Sequence, residues 1–392
     1  MTILYRLREV PPIILLSILS FTVNATILMV NSVLAVYSTE ILNASPSQVG
    51  LLVAVFFISA SLLKIPYGVL FFGKRALYGI ALSFTILAIA PPVYTILPNV
   101  ETGFVLRVIH GFAHSLFVTT ALSGVSILGR PEKTPRAIAI YTMAASVGLV
   151  AGPAISTAVV ANWGIKAPFL VAGLLGVVGI PLAISIIRFH KIAIATPKIP
   201  KMTDSIGLIR NKTVLMSALC FLSVAYGLGV LVAFAPLHAK FFFSFPDSFV
   251  TSLFLGYSSS ALVSRIAFER FAQRANTQRW MTSALIVSIV FLNLLAISPV
   301  PELFIFAFVL LGTAQGLVFP VGAVMTYGAT PAKDRVLGNA VYLMGFDLGS
   351  LIGPLISVPV VIFFGIPSAL AVAALAPATA LVILRMSAKK RA

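Results

Sequence analysis

The chain has 392 residues, of which 59% are hydrophobic and only 9% charged, and its mean hydropathy is +1.08. A soluble domain carries about 25% charged residues, so an ordinary globular enzyme, a disordered chain and a nucleic-acid binder are all excluded, and the net charge of +17 needs another explanation. The single cysteine, Cys220, excludes a disulfide framework and a cysteine-based metal site.

Apolar runs long enough to cross a bilayer, about 20 residues as a helix, fall at twelve places. In chain order they are 10–38, 48–72, 76–97, 102–128, 137–161 and 167–188, then 213–238, 248–270, 280–298, 302–328, 338–363 and 367–384. The longest polar stretch, with Pro197 and Pro200, lies between the sixth and seventh. The chain therefore divides into an N-terminal six-helix bundle (1–188), a cytoplasmic linker (189–212) and a C-terminal six-helix bundle (213–392). The predicted fold is an all-α membrane protein of twelve spans.

The charges orient it. With both termini in the cytoplasm, 22 of the 27 basic residues fall on that side, while Lys166, Lys240, Glu40, Glu101, Asp247 and Glu302 fall outside. Cytoplasmic enrichment in Lys and Arg is the usual topology signal. The basic surplus then faces the anionic headgroups of the cytoplasmic leaflet and not nucleic acid. A multi-pass protein of the plasma (inner) membrane is expected, acting as a monomer.

Ionisable groups near mid-span cost roughly 2.5–3.5 kcal/mol on insertion scales, which makes them functional candidates. Span 1 offers only the neutral polar groups Asn24, Thr26 and Asn31. Span 2 carries Lys64, about 8 residues or roughly 12 Å from its cytoplasmic end at 1.5 Å per residue. Span 4 carries Arg107, His110 and His114 on one helical face. Span 8 carries Arg265, span 10 Gln315, and span 11 Asp347, the one carboxylate well inside a span.

Two readings stand for each. Lys64 and Arg265 either face an anionic ligand across a central cavity, or extend to the interface with Glu269 one turn from Arg265 as a partner. Asp347 is pulled towards its neutral form by burial and towards its ionised form by a nearby cation. Held between those pulls it can load and release a proton; alternatively it forms a static ion pair with Arg265 or Lys64. His114 either relays protons or stays neutral and hydrogen-bonded. Arg107 either supports proton transfer or braces spans 1 and 4.

The halves repeat. A shift of 201 residues places Ser59 on Ser260, Lys64 on Arg265, Gly111 on Gly312, His114 on Gln315, Trp163-Gly164 on Phe364-Gly365, and Gly148-Leu-Val-Ala-Gly152-Pro153 on Gly349-Ser-Leu-Ile-Gly353-Pro354. Apolar composition alone would not hold cations and Gly-Pro pairs in one register.

On these residues the chain resembles the major facilitator superfamily over nearly its whole length, a family of two six-span halves related by an axis along the membrane normal. The loop Gly68-Val-Leu-Phe-Phe-Gly73-Lys74-Arg75 is similar to the family's span 2–3 loop, without its acidic residue. Arg107-Val-Ile-His-Gly111 resembles the family's span-4 element. Gly148-x-x-x-Gly152-Pro153 is similar to the motif of proton-coupled drug antiporters, although its echo in span 11 equally fits close helix packing. Leu63-Lys64-Ile65-Pro66-Tyr67 resembles the span-2 segment of nitrate/nitrite porters, in which a span-2 cation and its span-8 mate clamp the anion.

The resemblance implies a secondary active transporter, not an enzyme, driven by a proton or other ion gradient and needing no cofactor or metal. Antiport or export of a small organic anionic or amphipathic compound is the first expectation; uptake or exchange of a small anion held by Lys64 and Arg265 is the alternative. Expected substrate contacts are Lys64, Arg265, Asn24, Asn31, His114 and Gln315. Expected proton-coupling residues are Asp347, Arg107 and His114. Gating or packing falls to Gly68, Gly73, Lys74, Arg75, Gly148, Gly152, Pro153, Gly349, Gly353 and Pro354.

Overall fold

A computed structural model describes residues 9–71, 74–128, 134–189, 211–271, 276–331 and 335–389. Gly73 and residues 190–210 of the linker lie outside the described residues. Every regular element among the described residues is helical. In chain order these are α1 (Pro12–Glu40), α2 (Pro46–Leu62), α3 (Lys64–Leu70), α4 (Arg75–Val93), α5 (Val100–Leu128), α6 (Thr134–Trp163) and α7 (Ala167–Phe189). Then come α8 (Lys212–Phe241), α9 (Asp247–Phe271), α10 (Thr277–Ile297), α11 (Pro301–Ala329), α12 (Arg335–Ala373) and α13 (Leu375–Lys389).

Nine helical stretches among the described residues are long and apolar enough to cross a bilayer, and they depart from twelve for local reasons. The second span is broken into α2 and α3 at Leu63. Pro66 has no amide hydrogen for the Leu62 carbonyl, and its ring crowds that turn. The eighth, α9, carries Asp247, Arg265, Glu269 and Arg270 and is too polar to register as apolar. The eleventh and twelfth run on as a single stretch, Leu337–Ser387, through α12 and α13, with Gly365 (φ 81°, ψ 173°) turning the chain within α12.

Two compact units result. One comprises Met1–Asn43, Ile58–Ile199 and Asp247–Ser252; the other comprises Ala44–Phe57, Pro200–Pro246 and Leu253–Ala392. In the first, α1 packs most extensively on α6; in the second, α8 packs most extensively on α12. These are repeat-equivalent pairs, and the same device makes both. A Cβ on Gly148 would lie 2.3 Å from the Phe21 carbonyl oxygen, and one on Gly152 2.3 Å from that of Ala25. On Gly349 it would lie 2.1 Å from the Leu222 oxygen, and on Gly353 2.3 Å from that of Tyr226. Adding 201 to Phe21 and Ala25 gives Leu222 and Tyr226, so glycine and partner repeat together. Small residues let backbones meet in this way where lipid supplies no hydrophobic drive between helices.

The turns repeat too. All four residues with positive φ among those described form two pairs 201 apart: Asn43 (54°) with Ser244 (56°), and Gly164 (79°) with Gly365 (81°). Each unit has its own apolar core, centred on Leu19, Phe84 and Phe117 in the first and on Phe221, Met281 and Val318 in the second. The central helices α1 and α8 are apolar on all sides and bury most of their residues, as expected of helices surrounded by others.

Candidate functional site

In the first unit, Arg107 of α5 is fully buried, and its Nη2 donates to Oδ1 of Asn31 in α1 at 3.1 Å. Tyr94, in the 3₁₀ turn that follows Pro91 and Pro92, lies within electrostatic range of the same guanidinium. The ring of His110, also fully buried, meets that of Tyr94 edge-on at 6.3 Å. Phe169 of α7 stacks on Tyr94 at 4.9 Å and meets Tyr37 edge-on at 4.8 Å, while the Tyr37 hydroxyl donates to the Tyr94 carbonyl. Residues of α1 and α5 and the turn after α4 thus gather at Arg107, with Phe169 of α7 packed behind Tyr94.

The second unit has no such cluster in the equivalent place. Asn31, Tyr94, Arg107, His110 and Phe169 correspond to Val232, Leu295, Phe308, Leu311 and Leu370, all of them buried. Apolar residues therefore suffice to pack this position. Desolvating a guanidinium costs several kcal/mol, so the polar version is not the cheaper way to fill the space.

Lys64 is the first residue of α3, directly after the break that Pro66 imposes on its helix. It is half-buried and lies within electrostatic range of His114, one turn beyond His110 on α5. Span 2 thus brings its cation to the expected span-4 histidine within a single unit.

In the second unit, the Arg265 guanidinium carbon sits 4.6 Å from the Phe319 ring centroid, a cation–π contact. Glu269 and Tyr342 lie within its electrostatic range. The Tyr342 hydroxyl is positioned by the Val318 and Phe319 carbonyls, each at 2.9 Å, and its ring stacks on Phe221 at 4.9 Å. Gln315, one turn before Phe319 on α11, has a buried Oε1 that accepts no hydrogen bond among the described residues. Asp347 is 7% exposed and is the one buried carboxylate among the described residues. It sits between Gly345 and Gly349, which press α12 against the α8 backbone at Ala218 and Leu222. Its repeat counterpart is Ser146, so the carboxylate belongs to one half only.

The structure joins Arg107 to Asn31 and Lys64 to His114. Asn24 bonds its own helix, Nδ2 to the Ser20 carbonyl at 2.8 Å. Lys74 and Arg75 are exposed at the start of α4, and Gly68 lies in α3. Gly148, Gly152, Gly349 and Gly353 are packing contacts, with Pro153 and Pro354 inside their helices. Sequence reasoning missed Tyr94, Tyr37 and Phe319. It also missed Tyr342, although Tyr141 stands at its repeat position, a signal that could have found it.

The family model described as Major Facilitator Superfamily matches residues 14–290 and 218–391. No protein of curated function matches the chain. Among solved structures, the nucleoside transporter NupG in a mutant form is similar with a TM-score of 0.80 and 15% identity, covering 96% of this chain and 99% of that one. A second NupG structure gives a TM-score of 0.74 at 16% identity, covering 96% and 98%. A bacterial homolog of the human lysosomal transporter Spinster, inward-facing and unoccupied, gives 0.72 at 16% identity, covering 97% and 96%. Structural likeness at such identities speaks for the fold alone, whereas the family match spans nearly the whole chain. The chain belongs to the major facilitator superfamily, whose members are membrane transporters and not enzymes.

Proposed function

We propose that this transporter is a proton-coupled antiporter that exports a small organic anionic or amphipathic compound across the plasma membrane, with Asp347 as the group that binds and releases the proton. The observation that carries the reading is the burial of this one carboxylate in a membrane-spanning helix, in a half whose counterpart offers only Ser146. A carboxylate buried in a spanning helix is expensive to keep charged. It changes protonation when the cavity around it opens to the other side, and a gradient can drive that cycle. Arg107 and His114 act as further charge-bearing groups of the relay. The basic helix ends face the cytoplasmic leaflet in this reading, and the protein works as a monomer.

A second reading, uptake or exchange of a small anion, is favoured by a different observation. The repeat-equivalent positions 64 and 265 both hold cations, and each is set in a specific local environment, Lys64 at the α3 start near His114 and Arg265 on the Phe319 ring. His114, Gln315, Asn24 and Asn31 would add polar contacts to the substrate.

Proteoliposomes with an imposed pH gradient separate the two. Under the first reading, substrate accumulation follows the gradient and is abolished in Asp347→Asn, while substrate-exchange without a gradient persists. Transport that ignores pH in wild type and is unchanged in Asp347→Asn removes the proton reading. Unchanged anion transport in Lys64→Gln/Arg265→Gln removes the clamp.

A further inference from the structure

The second unit contains a cavity of about 790 Å³ at the ends of α8, α10, α11 and α13, lined among others by Lys212, Met216, Thr277, Gln278, Gly328 and Leu384. That volume falls in the range of sites for whole small molecules, roughly 300–1,000 Å³. None of Arg265, Gln315 or Asp347 is among its lining residues, so it is distinct from the candidate transport site.

Its walls are of two kinds. Lys212, Thr277 and Gln278 form a polar, cationic side, and no carboxylate is among the described lining residues. The first-turn amides do not supply the charge, since Asn211 accepts from the Thr213 and Val214 amides and Asn276 from that of Arg279. The positive charge is therefore carried by side chains, with Arg279 and Arg385 exposed on the same helix ends. Other parts of the lining are apolar, with Met216 and Leu384. Val324, in the lining, and Ile383 and Met386, on the helix that carries Leu384, are exposed apolar side chains.

The space is kept open by Gly328. A Cβ there would meet nothing within 4 Å, whereas on Gly312, Gly316 and Gly322 of the same helix it would meet an atom at 2.6 Å or less. Those three glycines allow close packing; Gly328 leaves room instead, although alanine is the better helix former.

We propose that this cavity binds an acidic phospholipid from the leaflet facing the basic helix ends, its headgroup phosphate on Lys212 and its glycerol and first acyl carbons along Met216 and Leu384. Basic pockets between spanning helices suit anionic headgroups, and the apolar lining favours a lipid over a free anion. The site depends on the membrane-spanning fold and not on the transport reading.

The test is native mass spectrometry of the full-length protein after equilibration with equal amounts of phosphatidylglycerol and phosphatidylcholine. Wild type retains the acidic lipid in preference. In Lys212→Gln the preference falls about fivefold, the effect of one lysine near an acidic membrane surface. In Gly328→Leu, which projects a side chain into the cavity from a position where the first carbon meets nothing within 4 Å, the bound lipid is lost. Both variants are scored only alongside an elution profile and unfolding midpoint like those of wild type; if Gly328→Leu fails that check, Gly328→Ala replaces it and gives a partial loss. Lys166→Gln in the other unit leaves the preference intact. Equal retention of both lipids by wild type, a preference unmoved by either cavity variant, or displacement of the lipid by millimolar inorganic phosphate overturns the proposal.

Discussion

Substituting alanine for Gly152 tests how the bundles are held together, because the structure specifies both sign and size. The new Cβ would lie 2.3 Å from the Ala25 carbonyl oxygen, more than an ångström inside the usual separation of about 3.5 Å. The obstacle is backbone, so no rotamer change relieves it, and α1 must move away from α6 by about the same amount. Overpacking of this kind costs about 1–3 kcal/mol. Alanine returns up to about 1 kcal/mol through its better helix propensity, which leaves a net loss of about 1–2 kcal/mol. Gly353→Ala meets the Tyr226 carbonyl at the same 2.3 Å and carries an equal loss. Gly328→Ala meets nothing and gains up to about 1 kcal/mol from propensity alone. One substitution type therefore has opposite signs at different sites. At about 2–4 °C per kcal/mol for units of this size, the unfolding midpoints of the packed and open variants separate by several degrees in a fluorescence melt of detergent-solubilised protein. A Gly152→Ala protein as stable as wild type, or no separation from Gly328→Ala, refutes the close-packing account.

Asn31→Val removes the acceptor of a buried guanidinium and costs about 2 kcal/mol, the value of a hydrogen bond to a charged group, read as a lowered midpoint. Extending it with Arg107→Phe, Tyr94→Leu and His110→Leu installs the residues of the second half; apolar replacement of a buried charge is neutral or stabilising, so stability returns while pH-driven transport does not. Gly164→Ala and Gly365→Ala each force alanine to positive φ and each cost about 1–2 kcal/mol, measured by the same melt. Tyr342→Phe loses a hydroxyl bonded to two carbonyls and costs about 1 kcal/mol; no change would mean that those bonds are not maintained in the membrane.

The crossing segments were legible because hydropathy reports directly on the bilayer. The repeat was legible because glycine, proline and charge stand out against an apolar background: the pairs Gly148/Gly349 and Gly152/Gly353 predicted two equivalent contacts, and the structure places each glycine on an equivalent carbonyl. The Asn43/Ser244 turn pair was hidden, since asparagine and serine share a tolerance for turns but not an identity. A brace from Arg107 to span 1 was legible and is made by Asn31, but its neighbour Tyr94 was hidden. Tyr94 lies beside it because Pro91 and Pro92 end α4 and turn the chain there, a consequence of local backbone geometry that hydropathy does not register.

The apolar segments, their repeat register and the presence of a few ionisable groups within them follow from the sequence alone, because each is legible along the chain without knowledge of packing. Which groups meet was decided only by tertiary structure. In a soluble protein a helix shows its buried face by its polar opposite. In a membrane, lipid-facing and core-facing sides are equally apolar, so α1 and α8 carry no periodic sign of the neighbour they will take. Packing of specific glycines against specific carbonyls sets that rotation, and the rotation brings Asn31 to Arg107.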